Sequence, residues 1–177
     1  MFSLNQQTAK LVNVNPRSEI HGDEYKLATD LKFEIRVGNE VLSEFAPSLK
    51  SSIYRAADPG EGDLLANEPG NLPKIKFPLL GPLKYGWEGA GYATTVHWGI
   101  SGKADILMIQ TKIDNFKFDC QDGGTVAVSF RVIAHPEPEE LGRLCEMIQQ
   151  EVSLSLDPPS AEEQYQQQMK DLEDEDE

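Results

Sequence analysis

Residues 105–156 constrain the fold of this chain more than any other stretch. An apolar run, Ile106-Leu107-Met108-Ile109, leads to a candidate strand over residues 111–120. The turn Asp122-Gly123-Gly124 and an alternating strand over 125–135 follow, and then a helix from about Pro138 and a short strand over 152–156. In the strand after the turn, Val126, Val128, Phe130, Val132 and Ala134 share one face, because strand side chains alternate with period two. Thr125, Ala127, Ser129, Arg131, Ile133 and His135 share the other, so one face is buried and the other partly wet. Asp-Gly-Gly tolerates the positive φ that tight hairpins require, which pairs 111–120 antiparallel with 125–135. The helix places Leu141, Leu144, Cys145 and Ile148 at i, i+3, i+4 and i+7, a single apolar stripe to lay on a sheet.

The rest of the chain adds strands rather than helices. Residues 10–14 form a short candidate strand, and 15–25 read as loop. Leu31, Phe33, Ile35 and Val37 alternate with Lys32, Glu34 and Arg36 up to Gly38-Asn39, a half-buried strand. Residues 40–45 suit either a helical turn or a short strand, and 51–54 a strand. Residues 56–73 are rich in Gly, Pro, Asp, Glu and Asn and form the longest irregular segment. Short strands resume at 74–77, and Tyr92, Thr94, Val96 and Trp98 alternate with Ala93, Thr95 and His97. Pro158-Pro159 separates a domain over 1–159 from a polar helical and acidic tail over 160–177. Seven to nine short strands beside one strong helix, without strand-helix alternation, predict a mainly β protein. The expected architecture is an antiparallel β-sandwich or partly open barrel with one packed C-terminal amphipathic helix.

At 177 residues the chain can bury a substantial core without disulfides. Its two cysteines, Cys120 and Cys145, form no Cys-x-x-Cys pair, which points to a reducing compartment with Cys145 as a buried thiol. The start, Met1-Phe2-Ser3-Leu4, lacks the basic and apolar regions of a secretory signal, and no apolar run reaches membrane-helix length. The expected location is the cytoplasm. Net charge is −14. Residues 161–177 carry −7 of it, mostly through Asp171, Glu173, Asp174, Glu175, Asp176 and Glu177, a solvated block able to recruit a basic partner.

No catalytic constellation emerges. The loops at 86–91 and 99–104 contain glycines, but a phosphate-binding loop delivers its N–H groups into a helix N-terminus, and here strands follow. His21, His97 and His135 lie far from one another and from both cysteines, without the local ligand pairs of a zinc site. Neither a catalytic residue, a metal nor a cofactor is assigned. One slice is different: residues 69–118 carry a net +3 through Lys74, Lys76, Lys84, Lys103, Lys112 and Lys117, and hold half of the aromatic residues. Single-strand binders pair aromatic platforms with a positive groove, and the candidates for that role are Lys84, Tyr85, Trp87, Tyr92, Trp98 and Lys103. Of these, Tyr85, Trp87 and Tyr92, beside the glycines, are expected to be exposed. The commonest fate of aromatics in β proteins is the core, and overall acidity opposes attraction to phosphate.

Residues 14–24 (VNPRSEIHGDE) and 122–151 (DGGTVAVSFRVIAHPEPEELGRLCEMIQQE) resemble a protein family of tailed bacteriophages and prophages, and the likeness extends over most of 1–159. The resemblance implies expression in a bacterial cytoplasm and carries no activity with it. Phage accessory proteins of this size act in replication and recombination or bind and block host factors. The acidic tail is similar to that of phage single-strand binders, although this chain ends in Glu177 without the terminal aromatic common there. The leading expectation is a non-enzymatic protein that binds another protein, in its sharpest form a host or defence protein engaged by an acidic, DNA-mimicking surface. The alternative is a single-stranded DNA-binding protein of phage replication or recombination.

Overall fold

The Asp122-Gly123-Gly124 turn does join two antiparallel strands, β7 (Ile106–Cys120) and β8 (Thr125–Ala134). Gly123 and Gly124 sit at φ 91° and 81°, and Gln121 N–H donates to the Thr125 carbonyl at 2.9 Å to close the turn. The computed structural model describes residues 1–61, 70–99 and 102–166. Within them the other strands are β1 (Leu4–His21), β2 (Glu24–Gly38), β3 (Tyr54–Arg55), β4 (Lys74–Ile75), β5 (Leu83–Tyr85), β6 (Gly89–His97) and β9 (Glu151–Asp157). The helices α1 (Val41–Phe45), α2 (Leu49–Ile53) and α3 (Pro138–Glu146) and a further helical turn at 161–166 complete the described residues.

Six strands form a ring in the order β7-β6-β9-β1-β2-β8, and the β7–β8 pairing closes it. The fold is therefore a closed antiparallel barrel, where a sandwich or a partly open barrel was expected. Closing a sheet removes its free edges, but requires strong local bending. Five register shifts supply it. Three residues of β1 oppose two of β9 around Gln6, and the same count occurs on β6 at Gly91 and on β7 at Gln110 and Asn115. All four of these residues have positive φ (46°, 75°, 55° and 57°), the left-handed geometry of a bulge. A fifth shift lies at Val12 on β1.

Each bulge also flips the phase of burial. Along β7 the inward residues are Ile106 and Met108, then Thr111 and Ile113 after Gln110, then Phe116 and Phe118 after Asn115. The apolar run and the strand expected at 111–120 are one continuous strand. Likewise β1 runs from Leu4 to His21 with Leu4, Ala9, Leu11 and Val14 inward, so residues 15–21, expected as loop, belong to a long hairpin with β2.

Side chains fill the barrel. Phe2, Phe33, Phe116, Phe118 and Phe130 pack there with Leu31, Ile35, Val128, Val132, Leu154 and Leu156. A hydroxyl pair, Thr94 to Thr111 at 2.8 Å, satisfies the polar groups on the β6–β7 side. At one end Phe45 of α1 meets Phe2, Phe116 and Phe118 with ring centroids 4.9–5.2 Å apart. At the other end α3 inserts Leu144, followed by Met147. Pro138 opens α3, and the side chains of Glu137 and Glu140 complete a capping box, so helix start signals act as expected. Cys145 is exposed rather than on the buried stripe: α3 stops at Glu146, and the buried contacts pass to Leu144 and Met147. Residues 51–54, expected as a strand, are the end of α2 and the first residue of β3. Among the described residues no helix is long and apolar enough to cross a membrane.

Candidate functional site

Between β4 and β5 the chain carries Phe77-Pro78-Leu79-Leu80-Gly81-Pro82, and here apolar side chains point at solvent. Leu79 is fully exposed (100%), Phe77 57% and Leu80 47%. The backbone at this point is tied at both ends. On the incoming side Ile75 N–H donates to the Asp122 carboxylate at 3.0 Å, and Lys76 N–H to the Ile53 carbonyl at 2.8 Å. Leu80 N–H closes a turn onto Phe77 O at 3.0 Å, and Gly81 takes φ 68°, which lets the chain reverse into β5. On the outgoing side Leu83 and Tyr85 pair with Phe118 and Phe116 of β7. The register places β5 and β6 in line on the same side of β7, interrupted by Gly86-Trp87-Glu88.

Beside this loop Lys84 lies directly opposite Lys117 in the β5–β7 pairing. Like charges facing each other across strands are unfavourable, and among the described residues neither ammonium has a carboxylate partner. Two other lysines of the positive slice are engaged differently. Lys112 pairs with Glu88 at 2.6 Å, and Lys76 Nζ donates to the Ser51 carbonyl. The apolar turn is thus followed by a strand whose Lys84 faces Lys117, in a chain whose overall charge is −14.

The six residues proposed for single-strand binding do not assemble into one groove. Lys84 and Lys103 are exposed. Tyr92 is wholly buried, contrary to the expectation of exposure: its ring points into the barrel, and its hydroxyl donates to the Phe2 carbonyl at 2.9 Å. Burial pushes that phenol up to about 12. Tyr85 and Trp87 are half-buried, both stacked edge-on against Phe45 at 5.6 and 5.7 Å, with Trp87 also against Phe116 at 5.5 Å. Trp98 is exposed, but it lies beyond the far end of β6, at most roughly 36 Å from Trp87 at strand rise. There it borders a cavity of about 170 Å³ with Arg143, Glu146, Met147 and Gln150. The tail residues Asp171, Glu173, Asp174, Glu175, Asp176 and Glu177 lie outside the described residues.

Two polar constellations were not visible in the sequence. His97 Nδ1 lies 2.8 Å from the Asp105 carboxylate, and its Nε2 lies 2.8 Å from Ser155 Oγ. An ionised carboxylate only accepts, so Nδ1 carries the proton, and Nε2 of the neutral ring accepts the Ser155 hydroxyl. Asp105 is held below the usual carboxylate range by the Trp98 N–H and then by His97. The order of groups matches a serine-histidine-carboxylate relay. The surroundings do not: Ser155 is only 7% exposed in mid-strand, and its Oγ already accepts the Gln6 N–H at 3.0 Å. The chain of bonds straps β6 and β9 to the bulge of β1.

On the opposite wall Arg131 makes a bidentate pair with Asp114, both contacts at 2.8 Å, and reaches Asp30 at 3.3 Å, which also receives Arg17 at 3.1 Å. These ions sew β7, β8, β2 and β1 together across their outer faces.

Past Pro159, whose ring lies 3.4 Å from a Cβ built on Gly91, the chain turns into a helical segment at 161–166. Ser160 and Glu163 cap its start reciprocally, at 2.7 and 3.3 Å. This segment lies against Met1, Ala90, Gly91 and Gln110 around a cavity of about 210 Å³. It starts the tail on the β6 flank, in line with β5. Among the described residues no cluster of His, Cys, Asp and Glu has the arrangement of a metal site. Compared with family models, curated proteins and solved structures, the chain matches none of them.

Proposed function

We propose that this chain is a non-enzymatic binding protein whose partner is another protein, and that the loop at residues 77–80 is its anchor. The observation that carries this reading is the outward aim of Phe77, Leu79 and Leu80 from a backbone that is tied down on both sides. Apolar side chains held in that way gain roughly 1.5–3 kcal/mol each when a partner buries them. The overall acid excess adds long-range attraction toward a partner with a basic surface, in keeping with the phage resemblance and a host-protein target. The packing of Tyr85, Trp87 and Tyr92 supports this reading over single-strand binding, because base stacking needs free ring faces.

The test compares wild type with Leu79→Asp as baits in bacterial lysate. A specific partner retained by wild type and lost with Leu79→Asp supports the reading. Equal retention by both baits removes the loop from the interface. Quenching of tryptophan fluorescence by an unstructured oligonucleotide at low salt would favour single-strand binding instead.

A further inference from the structure

We propose that a second copy of this chain docks on the free edge of β2 at Glu24-Tyr25-Lys26, pairing antiparallel with the same three residues about a two-fold axis at Tyr25. This interface is separate from the loop at 77–80 and does not depend on it.

The hairpin of β1 and β2 is longer than the barrel that holds it. Strand β9 pairs with β1 only as far as Lys10, and β8 pairs with β2 only from Thr29 onward. Beyond these points Pro16–His21 and Glu24–Ala28 have only each other as backbone partners among the described residues. A two-stranded ribbon of this kind is marginal in water, and a further strand stabilises it. At the tip Ile20 and Tyr25 lie directly opposite each other, 66% and 76% exposed, and Gly22 to Lys26 all face solvent. On β1 the outer edge is blunted by Pro16, which has no N–H to offer. The open stretch of β2, from Glu24 to Ala28, contains no proline and keeps its donors.

Charge decides which strand fills that edge. Glu24 and Lys26 flank Tyr25, and among the described residues neither belongs to a salt bridge. Antiparallel pairing about Tyr25 sets Glu24 of each copy opposite Lys26 of the other, and Tyr25 opposite Tyr25 on the other face. An apolar row of Ile20, Tyr25 and their two counterparts then crosses four strands. On the charged face Glu19 already lies opposite Lys26 within one copy, so each lysine comes to sit between two carboxylates. Moving the axis to Glu24 or to Lys26 brings like charges together, and charge therefore selects a single register. The pairing uses three residues of a five-residue opening, and the incoming strand does not displace β8.

The two copies of β2 run in opposite directions from this joint. Each leads to Gly38, opposite the start of β8, where the Asp122 turn holds Ile75 ahead of the 77–80 loop. The dimer thus carries its two loops on opposite sides of the joint, and a partner with repeated sites gains avidity from it.

The test is sedimentation velocity of the full chain from about 1 to about 500 µM, the range in which small interfaces dissociate. The expected result is a monomer that passes to a dimer as concentration rises. Glu24→Lys and Lys26→Glu should each weaken the dimer about tenfold, and the double variant Glu24→Lys/Lys26→Glu, whose exchanged charges meet again, should return to within about threefold of wild type. General repulsion between acidic chains predicts otherwise, because Glu24→Lys lowers the net charge and would then strengthen association. A monomer at every concentration would overturn the proposal, as would single variants that dimerise like wild type or a double variant that is not rescued. Leu79→Asp should leave the dimer unchanged, so failure of the joint and failure of the loop are read separately.

Discussion

Strand β8 and the segment from residue 74 to 87 contain seven apolar residues each, yet they use them in opposite ways. In β8 every second residue enters the barrel, and outward-facing Arg131 is held by Asp114 and Asp30. In the other segment Phe77, Leu79 and Leu80 face water, while Tyr85 and Trp87, a few residues later, close over Phe45. Hydrophobicity is common to both, and what separates them is pairing. The inward side chains of β8 are carried there by a backbone lying between two strands of the ring, whereas residues 77–80 lie outside every strand. In the proposed function these exposed apolar side chains at a tied turn are the contact surface.

The comparison is broken most severely at Phe130, which stacks on Phe116 at 5.5 Å in the centre of the barrel. Phe130→Ala should cost about 3–5 kcal/mol in urea unfolding, whereas an effect below 1 kcal/mol would mean that the centre is loosely packed. High pH tests the same core through Tyr92. Its phenol is raised from 10 to about 12 in the folded state. The neutral form is favoured by folding, so this contribution is complete below pH 10 and is lost as pH rises toward 12. The expected loss is roughly 1–3 kcal/mol, read from denaturation midpoints across that window and reduced in Tyr92→Phe, where the buried Tyr54 phenol, also raised, still contributes.

On the outer wall, Arg131→Ala leaves Asp114 and Asp30 without their shared cation. Because Arg131 is partly exposed, the expected cost is about 1–2 kcal/mol, shrinking in high salt. Thr29 provides a change of opposite sign. Its hydroxyl is buried without a hydrogen-bond partner among the described residues, so Thr29→Val should raise stability by about 1 kcal/mol. A destabilised variant would show that the hydroxyl is satisfied. The smallest effect on stability belongs to Leu79→Asp, within about 0.5 kcal/mol of wild type. That variant sharpens the contrast, since its consequence should appear in partner retention and not in unfolding.

Local signals made part of this molecule legible. The Asp-Gly-Gly hairpin, the alternation of β8 and of residues 31–37, and the Pro138 start of α3 all follow from turn chemistry and period-two or helical spacing. The long strands β1 and β7 were not legible as wholes. Bulges at Gln6, Val12, Gln110 and Asn115 shift the burial phase, so that Leu4, Ala9, Leu11 and Val14, or Met108, Thr111, Ile113 and Phe116, never form one regular pattern. None of those four residues is a glycine, the usual sign of left-handed backbone. The candidate site was half legible: its lysines stood out in an acidic chain, but the aromatics beside them could be sorted into core and surface only by seeing which rings meet Phe45 and Phe2.

The amino-acid sequence alone determined that this protein is mainly antiparallel β, with a helix against its sheet and a strongly acidic end, because turn residues, side-chain periodicity and charge are local properties. Tertiary structure alone decided that the sheet closes, that Tyr92 is core while Leu79 is bare, and that Lys84 meets Lys117. Each depends on which distant strands pair and in what register, and a single bulge reverses the outcome for every side chain beyond it.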